Sequence, residues 1–283
     1  MSADALCEPT AAVSPSVPVR RVAIFAATSW EMQAIVAAGH GVERTRVAGF
    51  PAAMFPCAGA WCYVVHTGVG PEWARLAAAT VLAEASWDVV ISAGFAGGLQ
   101  AADIGTLLIG TETMAVDSGS SPSRVRIPGG CDPLLVQIAC QVACEGAGEY
   151  RAGRFLCSNV VVWRAEDKAA LAGLFDAVAI DMESAALSGE AARYAVPFLI
   201  VRAVSDCVGD SLPTDLNLFV RRTGRMSGWV QGITQILRHP ASLMGFIRLG
   251  RHSRRAGEKL TRFYAALLPR VVQAGELRKA SVA

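Results

Sequence analysis

The run from Pro197 to Val204 (PFLIVRAV) is the feature that most constrains the fold. It is the most apolar strand candidate in the chain and carries a single charge, Arg202. A strand of that composition is covered on both faces, which places it inside a largely parallel sheet. It runs directly into Ser205-Asp206, so a carboxylate stands at its carboxyl end. Arg21 to Ala27 (RVAIFAA) and Asp88 to Ser92 (DVVIS) have the same character. Tyr63 to His66, Gly105 to Gly110, Thr113 to Val116, Gly153 to Val162 and Ala177 to Ile180 are further strand candidates. Helical spacing falls between them, at Ser29 to Ala38, Glu72 to Ala85, Leu134 to Glu145, Lys168 to Phe175 and Ser184 to Tyr194. Strands alternating with helices predict an α/β fold.

Composition excludes several alternatives. With 53% hydrophobic and 18% charged residues, the chain can bury a large core, and disorder of its bulk is excluded. A formal net charge of +2 gives no electrostatic footprint for nucleic acid. The cysteines (Cys7, Cys57, Cys62, Cys131, Cys140, Cys144, Cys157 and Cys207) form no Cys-x-x-Cys pair, and the histidines do not cluster beside them. The pattern predicts free thiols in a reducing cytoplasm and no metal site. Val47 to Pro71 is uncharged and long enough to span a bilayer, but Gly49, Pro51, Pro56, Gly59, Gly68 and Gly70 divide it into strands and turns.

Three segments are expected. Residues 1–19 lack a basic start followed by an apolar run, so they read as a disordered tail and not as a signal peptide. Residues 20–238 form the α/β domain. Residues 239–283 read as a basic amphipathic helical extension: Phe246, Ile247, Leu260, Phe263, Tyr264, Leu267, Leu268 and Val271 recur at helical spacing, with Arg248, Arg251, Arg254, Arg255, Lys259 and Arg262 between them. Such a helix either meets an anionic membrane surface or packs on its own domain or a neighbouring subunit.

Ligands of open α/β sheets collect at the carboxyl ends of the strands. Glu31, the segment Gly94-Phe95-Ala96-Gly97-Gly98, Glu183 and Asp206 all fall just beyond strand ends. The small residues of Gly94 to Gly98 let backbone approach a flat or anionic ligand; the plain alternative is a tight turn. Glu183, in Asp181-Met182-Glu183, can accept two sugar hydroxyls, or it can cap the following helix. Asp206 at the end of an apolar strand can donate a proton, or it can serve as a structural ion pair or cap. Glu31 stands three residues after Thr28, the spacing of a capping box, and can instead orient and deprotonate a water.

The order of these motifs carries more than any one of them. Thr67-Gly68-Val69-Gly70, Ser92-Ala93-Gly94-Phe95-Ala96-Gly97-Gly98-Leu99, Asp181-Met182-Glu183-Ser184-Ala185 and Val201-Arg202-Ala203-Val204-Ser205-Asp206 follow Glu31 in sequence. From Arg21 to Ile236 the chain resembles the nucleoside phosphorylase and nucleosidase superfamily, in particular the methylthioadenosine/S-adenosylhomocysteine nucleosidases. The resemblance implies a three-layer α/β/α sandwich with a mixed central sheet, a homo-oligomer, and cleavage of the N-glycosidic bond of a purine nucleoside without a cofactor. It gives Asp206 the protonation of purine N7, Glu183 the ribose hydroxyls, Met182 a place under the ribose and Glu31 the attacking water. Phe95, Ala96, Gly97, Val162 and Arg202 are the remaining substrate-binding candidates. Phe95 departs from the small polar residue usual there. Lys168-Ala169-Ala170-Leu171 and His239 through Arg255 also resemble hopanoid-associated phosphorylases, which implies adenosylhopane, a lipid-linked adenosine, as substrate, with peripheral contact between the C-terminal helix and the membrane. A housekeeping nucleosidase and a silent nucleoside-binding protein are the competing readings.

The nucleophile stays open between water and phosphate as co-substrate. The first loop, Ala26-Ala27-Thr28-Ser29-Trp30-Glu31, has neither the glycine nor the arginine usual in phosphorylases, which favours water. Arg124, Arg126 or Arg202 can still supply a phosphate site.

Overall fold

The computed structural model describes residues 20–116, 124–125, 130–146, 148–212 and 240–280. The expected tail (1–19), Arg126 and the boundary near residue 238 lie outside the described residues. The strands are β1 (Arg20–Ala26), β2 (Glu43–Val47), β3 (Phe50–Cys57), β4 (Ala60–His66), β5 (Val89–Gly98), β6 (Leu107–Val116), β7 (Arg124–Val125), β8 (Tyr150–Ser158), β9 (Ala179–Asp181) and β10 (Phe198–Asp206). The helices are α1 (Ser29–Val36), α2 (Pro71–Glu84), α3 (Pro133–Glu145), α4 (Ala165–Phe175), α5 (Ser184–Arg193) and α6 (Pro240–Ala280).

The strands form one mixed sheet in the order β10-β6-β8-β9-β5-β1-β4-β3-β2, with β7 on β6. β1 is flanked by β4 and β5 in parallel, whereas β2, β3 and β4 are an antiparallel meander. Its hairpin turns, Ala48-Gly49 and Ala58-Gly59, hold both central residues at positive φ, the conformation that matches strand twist. β5 also pairs with β10, which pairs with β6, then β8, then β9, and β9 returns to β5. Half of the sheet therefore closes on itself as a small ring.

The alternation of side chains along the strands builds the layers. Val22, Ile24 and Ala26 of β1 pack with Ile35 of α1, Leu135 and Ala139 of α3, and Leu260, Tyr264 and Leu267 of α6. Ala23 and Phe25 face the other way, toward Ala74, Ala77 and Val81 of α2 and Leu187 of α5. A small third cluster, Leu99, Leu156, Phe175 and Ile180, lies under α4. This is the expected three-layer α/β/α architecture.

Two expectations change. Gly94 to Gly98 is not a turn: β5 runs through it, because β10 and β9 take up its backbone groups. The C-terminal helix is not an appendage with a free apolar face. Leu260, Phe263, Tyr264, Leu267, Leu268 and Val271 are buried against the domain, and the Tyr264 hydroxyl donates to the Val201 carbonyl at 3.1 Å. The packed alternative holds for this half of the helix, while Arg248, Arg251, Arg254 and Arg255 stay exposed. Among the described residues no helix is long and apolar enough to cross a membrane.

Candidate active site

Arg202 is the hub. It lies in β10, 1% exposed, yet carries a full charge into the core. A buried guanidinium is tolerated only where acceptors surround it. Its Nη1 donates to the Phe95 carbonyl at 2.9 Å, and Nη2 donates to Ser92 Oγ at 3.1 Å and to Glu183 Oε2 at 3.3 Å. Nε lies 2.7 Å from Asp181 Oδ2, an ion pair whose angle falls outside hydrogen-bond geometry, and Nη1 lies 3.8 Å from Glu31 Oε1. Burial opposes the charge on Arg202, but Asp181, Glu183 and Glu31 together hold it above its ordinary pKa.

Glu31 reaches this cluster from α1. Thr28 caps the helix in a capping box, accepting from the Glu31 amide at 3.2 Å while its own amide donates to Glu31 Oε2 at 2.7 Å. The structural role read from the spacing is therefore real. It does not exhaust the residue, since Oε1 accepts the Phe95 amide at 2.7 Å and faces Arg202. Gly94 makes this possible: at φ +150°, a Cβ there would stand 2.2 Å from Glu31 Oε1.

Glu183 and Asp181 separate in role. The Glu183 side chain does not cap α5. Its Oε1 accepts the Gly70 amide at 2.9 Å and its Oε2 faces Arg202. Burial pushes Glu183 up to about 7; Arg202 opposes this, Asp181 and Glu31 add to it, and the Gly70 amide opposes it. Asp181 takes the capping work, accepting from the Ser184 amide at 3.3 Å, and also accepts the Cys157 thiol at 3.0 Å. Ser184 also bonds Asp181 through its hydroxyl and shares a 2.8 Å hydrogen bond with Ser92.

Asp206 closes β10 across from Gly97, where a Cβ would approach its Oδ2 to 3.1 Å. Ser205 Oγ lies 2.8 Å from Oδ1 and 3.3 Å from the Ala96 carbonyl. Lys168 Nζ, from α4, is 2.8 Å from Oδ2.

Two spaces adjoin these groups. A cavity of about 350 Å³ has a mostly apolar wall from Pro71, Val116, Cys157, Met182 and Ala186, with Glu72, Arg75, Ser158 and Asn159 also lining it. A much smaller one lies between Asp206, Asp210 and Leu212 and the Arg248, Leu249 and His252 face of α6.

The structure thus brings Glu31, Glu183 and Arg202 together, and sets Ala96, Gly97 and Asp206 on the neighbouring strand ends. Phe95 enters through its backbone, which bonds both Glu31 and Arg202; its ring packs toward Gly257 of α6, with Cζ 3.8 Å from where a Cβ of Gly257 would stand. Val162 packs on the cluster under α4. Arg124 is placed in β7 by its backbone. Sequence reasoning assigns no site role to Lys168, Ser92 or Gly70, although all three stand in the motifs that carry the resemblances; those motifs were the available signal.

A buried carboxylate–guanidinium cluster and the Asp206 carboxylate thus stand at the strand ends of an α/β sheet. The family model of the phosphorylase superfamily matches residues 21–227, and the chain belongs to that superfamily. A 5′-methylthioadenosine/S-adenosylhomocysteine nucleosidase from Lysinibacillus sphaericus is 26% identical over 67% of this chain and 87% of its own length. The protein of the same name from Chromohalobacter salexigens is 27% identical over 74% of this chain and 94% of its own. The solved nucleosidase from Neisseria meningitidis in complex with methylthio-immucillin-A shares the fold, with a TM-score of 0.68 at 23% identity, covering 89% of this chain and 99% of that one. Native futalosine hydrolase of Helicobacter pylori superposes with a TM-score of 0.66 at 16% identity, covering 88% of this chain and 97% of that one.

Proposed function

We propose that this protein hydrolyses the N-glycosidic bond of a 5′-modified adenosine, releasing adenine. The observation that carries the choice of water over phosphate is the enclosure of Arg202 by Glu31, Asp181 and Glu183. Three carboxyl groups around one guanidinium leave no cationic surplus to hold a phosphate dianion, and they favour a transition state with positive charge on the sugar.

In this reading the C1′–N9 bond breaks as Asp206 donates a proton to N7, so that adenine leaves neutral. Glu183 accepts the ribose hydroxyls and stabilises the oxocarbenium-like sugar, with Met182 beneath it. Glu31 takes the proton of a water whose oxygen bonds to C1′, and Arg202 fixes the orientation of both glutamates. The backbone of Phe95, Ala96 and Gly97 and the side chain of Val162 border the purine. Every proton is carried by a side chain, so the mechanism calls for no cofactor.

The 5′ substituent is apolar in this proposal. The apolar cavity beside Met182 supports that, and adenosylhopane is the leading candidate, with the exposed arginines of α6 supporting contact with an anionic membrane face. The nucleosidase relatives favour a second reading, methylthioadenosine or S-adenosylhomocysteine. A homo-oligomer is proposed on Trp73 and Leu76, which stand 40% and 51% exposed on α2 beside the cavity. Mass spectrometry of products from adenosylhopane and from methylthioadenosine, with and without phosphate, tests the whole reading. Adenine and free ribosyl product without phosphate are expected. A ribosyl phosphate formed only with phosphate overturns hydrolysis.

A further inference from the structure

Lys168 is a buried lysine, at 0% exposure, on a helix whose other buried side chain is Phe175. Lysine enters such a position only when its ammonium is fully partnered. Nζ donates to Asp206 Oδ2 at 2.8 Å and to the Cys207 carbonyl at 2.6 Å. The two bonds span the exit of β10, so one ammonium fixes both the carboxylate and the backbone that follows it. The main chain supports the clamp: Leu212 N–H donates to the Trp163 carbonyl at 2.8 Å, and the Ala165 amide donates to Ser211 Oγ at 3.1 Å, joining the start of α4 to the segment after Asp206.

We infer that Lys168 is a positioning residue for the reaction: it holds the Asp206 carboxyl in the orientation that meets the purine. The inference rests on the reading of Asp206 as the acid. The groups that face Asp206 are Lys168 from α4, Ser205, Cys207 and Asp210 from its own segment, and Arg248 and His252 from α6 across the small cavity. Among the described residues, Lys168 is the cation at hydrogen-bond distance from the carboxylate. Lys168 thus keeps Oδ2 anchored and the carboxyl plane fixed while the purine approaches.

The test is the steady-state kinetics of adenine release by the full chain, with methylthioadenosine and adenosylhopane as probes. Lys168→Met is expected to lower kcat about tenfold through loss of placement, with KM little changed. Lys168→Arg, which restores the charge and covers the case in which the methionine variant fails to fold, is expected to recover most of kcat. His252→Asn is expected to leave kcat unchanged. A wild-type kcat in Lys168→Met, a loss that appears in KM instead of kcat, or a Lys168→Arg variant as slow as the methionine one overturns the inference. Asp206→Asn separates the two layers. If it keeps wild-type turnover, the acid itself is misassigned; if it is inactive while Lys168→Met keeps the wild-type kcat, Lys168 alone is.

Discussion

Glu31 and Phe95, 64 residues apart, are joined by a 2.7 Å hydrogen bond from the Phe95 amide to Glu31 Oε1. That bond ties the first turn of α1 to the middle of β5 and makes a helix cap part of the buried cluster around Arg202. Glu31→Gln keeps the shape and removes the charge. Turnover is expected to fall about a hundredfold, the contribution of a general base, while thermal stability falls by about 1 kcal/mol from the weakened capping box. Adenine release and thermal melting read the two effects separately. Equal turnover in wild type and variant would leave Glu31 with capping alone.

Gly94→Ala is the most direct steric test of the cluster. Its Cβ would stand 2.2 Å from Glu31 Oε1 and 3.1 Å from Arg202 Nη1, so the carboxylate must move. A loss of about 1–3 kcal/mol in urea unfolding is expected, together with loss of activity. Gly173→Ala in α4 has no neighbour within 4 Å and is expected to be neutral or to stabilise by about 0.5–1 kcal/mol.

Glu183 predicts two pH effects of opposite value to the protein. Burial raises its carboxyl to about 7 from 4.5, so the folded state holds this proton more tightly than the unfolded chain. The resulting stability is fully present below about 4.5 and is lost as pH rises through about 7. Melting temperature at constant ionic strength is expected to decline over that window in the wild type, and Glu183→Gln is expected to flatten the decline. In the proposed mechanism the ionised carboxylate stabilises the sugar cation, so kcat/KM is expected to rise over the same range. A stability curve that climbs between these pH values would contradict the first effect.

The C-terminal helix is expected to behave as core. Phe263→Ala should cost about 3–5 kcal/mol in urea unfolding, and Leu260→Ala about 2–5 kcal/mol, as for buried positions elsewhere. Removal of residues 240–280 should therefore unfold the domain. The proposed vesicle binding is expected to depend on Arg248, Arg251, Arg254 and Arg255, and their replacement by glutamine should reduce cosedimentation with anionic vesicles while leaving the melting temperature unchanged.

The sequence made the strand ends legible because apolar runs such as those ending at Ala27, Ser92 and Asp206 stop at small or acidic residues. Those stops place Glu31, Gly97, Glu183 and Asp206 on one edge of the sheet. Three things escaped it. Pairing is a long-range property, so nothing in Gly94 to Gly98 announced that β9 and β10 would continue the strand. A helical pattern states which face is apolar but not what covers it, so α6 looked available when Tyr264 was already bonded to Val201. The polar residues that complete the cluster, Lys168 and Ser92, are ordinary in their local windows and gain meaning only through partners distant in the chain.

The ring formed by β5, β10, β6, β8 and β9 has a consequence for how such a protein changes over evolutionary time. An open sheet can accommodate a new ligand by fanning its outermost strand, whereas a hoop has no outermost strand. A shift in any one member must be absorbed by all five, and the cluster around Arg202 is anchored to three of them. Novelty in substrate is therefore channelled into the walls around the mouth, the starts of α2 and α5 and the face of α6. The cluster around Arg202 stays as a fixed die while the surfaces about it vary.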